Sequence, residues 1–402
     1  MRRSPDTAPL RRSSVLLHIC LHGDPTTTNL QSWVLALEQQ AGVRVTVLSL
    51  GTGMSSIGRS PVVDLPFPLR IGPLRFGLAV PFVRRAIRRI APDVVLGYRI
   101  PSYGVLAFLS GFRPVVLVAQ SETELWPPAL ELKRFLLGRI VPRAALVQVW
   151  APSMEPSLIA LGARPERMLC LPRGIDVDLF SPGRDLRTQP FARGGSPSEN
   201  PASPIEPSVP KQVSGPIQMI VTRTLHEDYN HWHILRAMAQ LRAEGLETRL
   251  DVVGDGPLRA EIEAEAARVV PGAVTFHGRT PHAALPALLR RADLYLSTPI
   301  TEGLSASLVE AMGCGAFPIV TDHPGNRQLV ADGKNGRLVP VGDVPALARA
   351  IRAAWEAPGL RADAAVRNRA YVESHMRADR NVARMVERYR EVVASARPGG
   401  RT

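Results

Sequence analysis

The chain has 402 residues, 45% of them hydrophobic and 21% charged, which excludes an intrinsically disordered protein and exceeds one ordinary core, so two domains are expected. The net charge is +13, and every basic residue except Lys133, Lys211 and Lys334 is arginine; part of that bias can reflect base composition, yet a positive field toward nucleotides, nucleic acid or acidic lipid head groups follows. Cys20, Cys170 and Cys314 are odd in number and widely spaced, which excludes a disulfide framework and fits a reducing, cytoplasmic compartment.

The opening MRRSPDTAPLRRSSVLLHICLHG imitates a signal peptide, but its apolar run is short, contains His18 and lacks a small-residue cleavage site, so a basic leader before a first strand is expected. Strand-like VLLHICL (15–21), a helix around 30–40, VRVTVLSL (43–50), a helix near 80–90, DVVLGY (93–98), VVLVAQ (115–120), 146–150 and 168–171 then follow. Strands alternating with helices predict a parallel sheet wrapped by helices. From 181 to 215 the chain is rich in Pro, Ser and Gly and reads as a linker. The alternation resumes with QMIVTRT (218–224), a helix over 231–244, RLDVVGDG (249–256), a helix over 257–268, VTFHG (274–278), 285–291, DLYLST (293–298), a helix opening near Ser305 and FPIVTD (317–322). The expected class is therefore α/β, two Rossmann-like domains facing across a cleft: 1–180, then the linker 181–215, then 216–375, with a last helix about 376–396 packing back on the first domain. No apolar stretch approaches the roughly 18 residues of a membrane span.

In TEGLSASLVEAMGCG, Glu302 falls on the loop leaving the strand DLYLST, Ser305 or Ser307 can cap the next helix, and the small residues Gly303, Ser305, Ala306 and Ser307 leave its first amides open. Such a helix start favours a phosphate, and carboxylates accept sugar hydroxyls. Ser307-x-x-Glu310 equally matches a capping box, in which Glu310 serves only its own helix.

The E-x7-E segment formed by Glu302 and Glu310, together with VVGDGPL (252–258), VTFHGR (274–279), ADLYLST (292–298) and the continuation to Asp343, resembles the retaining family 4 glycosyltransferases of the GT-B fold. ERMLCLPRGIDVDLFSP (166–182) resembles their exit segment before the interdomain linker. The resemblance implies sugar transfer from a nucleotide sugar to a glycan or lipid-linked glycan, with retention at the anomeric carbon, in cell-surface polysaccharide or glycolipid biosynthesis. It implies no metal and no cofactor beyond the nucleotide-sugar substrate, and no Asp-x-Asp segment reads clearly as a metal motif. Glu302 would hold donor hydroxyls; Gly303, Leu304, Ser305, Ala306 and Ser307 would meet the distal phosphate or sugar, and Glu310 the ribose. Gly278 and Arg279 would belong to the same donor site. Arg223 would clamp the diphosphate, but no lysine follows it: Tyr229 and Asn230 stand where that lysine would fall. In the first half, LHGDPTTTN has Gly23 where relatives carry a glycine-rich loop, but Pro25 and Thr26 replace the glycine pair, and a helix cap from Thr28 or Asn29 is expected. Glu122, after VVLVA, would orient or deprotonate an acceptor hydroxyl if it is not simply a solvated acid; His22 is a lesser candidate.

Arg84, Arg85, Arg88 and Arg89 form a basic helix face opposite Phe82, Val83, Ala86, Ile87 and Ile90, in a region that also holds Phe67, Arg70, Arg75 and Phe76. It reads first as a solvated face and second as a dock on the anionic inner surface of a membrane. The rival functions are a nucleotide-sugar epimerase or hydrolase, a relative that only binds nucleotide sugar or glycan, and a nucleic-acid binder. The last lacks any aromatic-interleaved basic motif, and no nucleic-acid partner is expected.

Overall fold

Two parallel sheets account for the strands of the protein, seen here in a computed structural model that describes residues 16–66, 74–120, 131–182 and 215–396. The leader, the segment 121–130 with Glu122, Phe67, Arg70 and most of the Pro/Ser-rich stretch lie outside the described residues. The first sheet comprises β1 (Leu17–His22), β2 (Val43–Leu50), β3 (Ser56–Ile57), β4 (Ser60–Leu65), β5 (Val94–Tyr98), β6 (Val115–Ala119), β7 (Leu146–Val149) and β8 (Met168–Cys170). They run in the order β3-β4-β2-β1-β5-β6-β7-β8, parallel throughout except for the short β3–β4 pair. The second comprises β9 (Ile217–Thr222), β10 (Thr248–Val253), β11 (Val274–Gly278), β12 (Leu294–Ser297), β13 (Phe317–Thr321) and β14 (Arg337–Val339), in the all-parallel order β11-β10-β9-β12-β13-β14. The near-continuous apolar runs VVLGY, VVLVA and LVQV are buried at every position, as strands covered by helices on both faces must be.

Strand order turns at β1/β5 in the first sheet and at β9/β12 in the second. Loops leaving the carboxyl ends diverge there and open a crevice. Two crossing segments join the halves side by side: Ile175 N–H donates to Met376 O at 2.8 Å, and Ala378 N–H to Ile175 O at 2.9 Å. The final helix Ala378–Ala396 then buries Val382, Met385, Val386, Tyr389 and Val393 in the core of the first sheet.

Two helix starts differ from the sequence reading. The helix expected near 80–90 runs Leu74–Ile90, with Pro81 inside it. A proline suits a first turn, where its missing N–H is unpaired anyway, but Pro81 stands in the middle of this helix. The first helix of the chain is Thr28–Glu38, with Thr27 at its cap rather than Thr28 or Asn29; the Thr27 hydroxyl donates to Asp24 O at 2.9 Å, and no side chain caps the helix.

Candidate active site

The carboxyl ends of β9, β12 and β13 meet at one place in the second domain. Beyond β12 the chain turns through Thr298–Gly303 and enters the helix Ala306–Cys314, whose N-cap is Ser305: its Oγ accepts from Leu308 N–H at 3.3 Å. Ser307 is therefore inside the helix, and the capping box with Glu310 does not form, because the box requires Ser307 at the cap. Glu310 is 6% exposed and instead receives His282 Nε2 on its Oε1 at 2.9 Å.

Arg223 follows β9 directly and is the hub of the cluster. Its Nη2 reaches both Glu302 Oε2 and Ser305 Oγ, and its Nε donates to Ser297 Oγ at 3.3 Å. Its guanidinium lies over the Tyr229 ring at 5.1 Å, within range of a cation–π contact. Burial opposes the charge, but Glu302 foremost, then Tyr295, Tyr229 and Glu310, outweigh it, so the pKa of Arg223 is raised and the cation is fixed. Gly254 explains how this exit is held: at φ +142°, a Cβ there would sit 2.2 Å from Arg223 O, so only glycine lets the β10 turn seat against the Arg223 backbone.

The Tyr229–Asn230 turn does not replace a lysine electrostatically. Thr298 Oγ1 donates to Tyr229 O at 3.0 Å, Ile300 N–H to Asp228 O at 2.8 Å, and Thr321 Oγ1 to Pro299 O at 2.9 Å, so the turn is tied to the loop that carries Glu302. His231 and His323 both lie within the electrostatic reach of Arg223. Burial first, and Arg223 second, push each imidazole down to about 4, so both are neutral near pH 7. Gly325, on the short helix Pro324–Arg327 after β13, has its backbone against Glu302 O and Gly303 O.

Of the expected residues, Glu302, Gly303, Leu304, Ser305, Ala306, Ser307 and Arg223 thus come together at one helix start, with Glu310 one turn further along. Gly278 ends β11 with φ +65°, and Arg279 beside it is exposed. Leu304 packs against the cores of both domains. Gly23 is buried between Leu30 and Tyr98, and Asp24 Oδ1 takes the N–H and hydroxyl of Thr26 at 2.9 and 2.7 Å, so that hydroxyl is spent inside its own loop. His22 is fully buried, edge-on to Tyr103 at 5.0 Å, and burial lowers its pKa to about 3, as in a core histidine. Two participants had no local signal: His282 lies 28 positions from its partner Glu310, and Ser297 ends a strand.

Between the two domains lies a cleft of about 320 Å³, bounded by Ser32, Leu35 and Gln39 of the first helix, by Arg173–Leu179 and by His282 and Glu310. Among the described residues no three His, Cys, Asp or Glu side chains are grouped to hold a metal ion. Asp176-Val-Asp178, which borders the cleft, has Asp-x-Asp spacing, but Asp176 Oδ1 caps a turn at Asp178 and Leu179 N–H, and Asp178 Oδ2 pairs with Arg377 at 3.0 Å.

Two parallel α/β domains with a charged cradle at the start of a helix, facing a cleft, define the GT-B class. Residues 204–371 match the family model described as Glycosyl transferases group 1, and residues 31–179 that described as Glycosyltransferase Family 4, so the chain belongs to these glycosyltransferases. The GDP-mannose-dependent alpha-(1-6)-phosphatidylinositol monomannoside mannosyltransferase of Mycolicibacterium smegmatis is 28% identical over 258 residues, 62% of each chain. The 2-deoxystreptamine glucosyltransferase of Streptomyces kanamyceticus is 32% identical over 149 residues, 37% of this chain and 38% of that one. Across the curated relatives the matching segments span 26–62% of the relatives' own lengths. The crystal structure of HepE from Anabaena in complex with UDP and glucose shares the fold, with a TM-score of 0.69 at 18% identity over 93% of this chain and 100% of that one.

Proposed function

We propose that the protein transfers a sugar, with retention and without a metal ion, from a nucleoside-diphosphate sugar to a glycan or lipid-linked glycan in polysaccharide or glycolipid biosynthesis. The observation that carries this reading is the Arg223–Glu302–Ser305 cluster at the start of the Ala306–Cys314 helix, with Glu310 and His282 one turn away. In this reading the sugar rests on Glu302, whose Oε2 is held by Arg223, and the diphosphate lies against Arg223 and the helix start. The bond from the anomeric carbon to the diphosphate oxygen breaks, the acceptor oxygen bonds on the same face, and its proton passes to the departing phosphate. Glu310, steadied by His282, takes the ribose hydroxyls. The relatives' printed donors and ligands, GDP-mannose and UDP, support a nucleoside-diphosphate donor. Glu122 remains the proposed acceptor-facing acid.

Glu310→Ala is expected to weaken nucleoside-diphosphate binding about tenfold or more, the worth of a lost hydrogen bond to a charged acceptor. Calorimetry with UDP and GDP measures it; wild-type affinity in the variant removes Glu310 from the site. Transfer that persists in EDTA would support the metal-free reading, and dependence on a divalent ion would end it.

We further propose that the helix Leu74–Ile90 rests on an anionic membrane. Phe82 is 56% and Leu78 53% exposed, beside the exposed Arg85, Arg88 and Arg89, whereas Val83, Ala86 and Ile87 are buried. Phe82 thus lies on the arginine side, contrary to the apolar face read from spacing. Arg84 Nε is occupied by Ser110 O at 2.7 Å. Among the described residues no helix is long and apolar enough to cross a membrane. Reversing Arg85, Arg88 and Arg89 to glutamate is expected to abolish co-sedimentation with phosphatidylglycerol vesicles at low salt, at about 1 kcal/mol per charge removed; unchanged sedimentation excludes this dock.

A further inference from the structure

Arg173 carries a charge that the described residues do not neutralise. It sits in LPRGID between β8 and the crossing at Ile175, and is 9% exposed. Among the described residues it makes no ion pair, and its hydrogen bond is a long one, Nη1 to Asn29 O at 3.4 Å. Burial lowers its pKa, and Tyr98 and Glu310 restore only part of the loss. A cation desolvated in this way, with no anion beside it, is disfavoured until an anion joins it.

Arg173 borders two spaces, a gap of about 30 Å³ that is too small for a diphosphate and the interdomain cleft of about 320 Å³ that is large enough. Arg173 shares one small gap with Leu304 and Ala306 at the start of the Ala306–Cys314 helix, and with Asn29 and Trp150 of the first domain. It also borders the interdomain cleft beside Glu310 and His282. A helix start presents free N–H groups and the positive end of a dipole, and the guanidinium that lines both the gap beside it and the cleft is an independent feature favouring an anion there. Resting on the nucleoside-diphosphate reading, we propose that Arg173 binds the donor diphosphate from the first-domain side, as the second cation opposite Arg223 that Tyr229 cannot provide.

The test compares Arg173→Met, which keeps the stem and removes the charge, with Arg173→Lys and wild type. Calorimetry with UDP and GDP, each beside its nucleoside, reads the affinities, and thermal unfolding reads the fold. Arg173→Met is expected to bind the diphosphates about 10- to 100-fold more weakly, with nucleoside affinity unchanged, and Arg173→Lys to recover part of the loss. Without ligand, Arg173→Met is expected to melt at or above the wild-type temperature, since an uncompensated buried charge is gone. Unchanged diphosphate affinity, an equal loss for nucleoside and diphosphate, or a lower melting temperature in both variants overturns the proposal. Wild-type protein that binds neither diphosphate overturns the donor reading and this inference together; wild-type binding that Glu310→Ala weakens and Arg173→Met does not overturns this inference alone.

Discussion

Arg223→Ala is expected to lower the rate of transfer about 10²- to 10³-fold, the cost of removing one preorganised charge from a leaving group. The same guanidinium also orients Glu302 and Ser305, and its side chain and that of Glu302 are only 11% and 17% exposed. Deleting the cation therefore leaves a partly desolvated carboxylate with no partner, which costs up to about 3–5 kcal/mol in a fully buried pair and less here, where the Glu302 side chain keeps some exposure. Arg223→Lys keeps the charge but not the fork that serves Ser297, Glu302 and Ser305 together, so only part of the activity is expected to return. Turnover at saturating donor and the unfolding midpoint are the measurements. Activity of Arg223→Ala within a few fold of wild type would mean that this cluster is not where the leaving group develops charge.

The two-sheet architecture was legible because parallel strands covered on both faces read as short apolar runs, and each run from VRVTVLSL to FPIVTD falls on a strand. The glutamate pair was also legible, since loop and helix start are encoded within fifteen residues of one another. The capping box was an alternative the local pattern could not eliminate: both Ser305 and Ser307 suit a cap, and it is Ser305 that has the extended backbone of a cap and whose hydroxyl Arg223, from a different strand end, holds. His282 and Arg173 were illegible for a different reason. They reach Glu310 and the helix start through tertiary contacts, from a loop after β11 and from the exit of β8, and no spacing in the chain encodes such contacts. The upstream half of the helix Leu74–Ile90 was not read, and Pro81, a residue that disfavours a helix interior, stands where the two halves join.

Gly325→Ala tests whether the Glu302 loop is held by backbone contact. A Cβ there would stand 2.2 Å from Gly303 O and 2.6 Å from Glu302 O, and both atoms are main chain, so no side-chain rotation relieves the contact. The loop has little freedom to retreat: Glu302 is bound by Arg223, and Thr321 and Asp228 fasten Pro299 and Ile300 behind it. A displacement of about 1 Å is then transmitted to the carboxylate that would hold the sugar, and misplacement on that scale lowers turnover about 10²-fold. Overpacking of this kind costs about 1–3 kcal/mol of stability. Nucleoside-diphosphate affinity should change less than turnover, because Glu310, inside the helix, and its partner His282, after β11, lie outside the loop that moves. Gly359→Ala is the control: nothing lies within 4 Å of its added methyl, in the first turn of the helix Pro358–His375, so the unfolded chain loses freedom and stability rises by about 0.4–1 kcal/mol. If Gly325→Ala turns over as fast as Gly359→Ala, the loop tolerates a shift that the proposed sugar contact does not, and Glu302 does not hold the sugar.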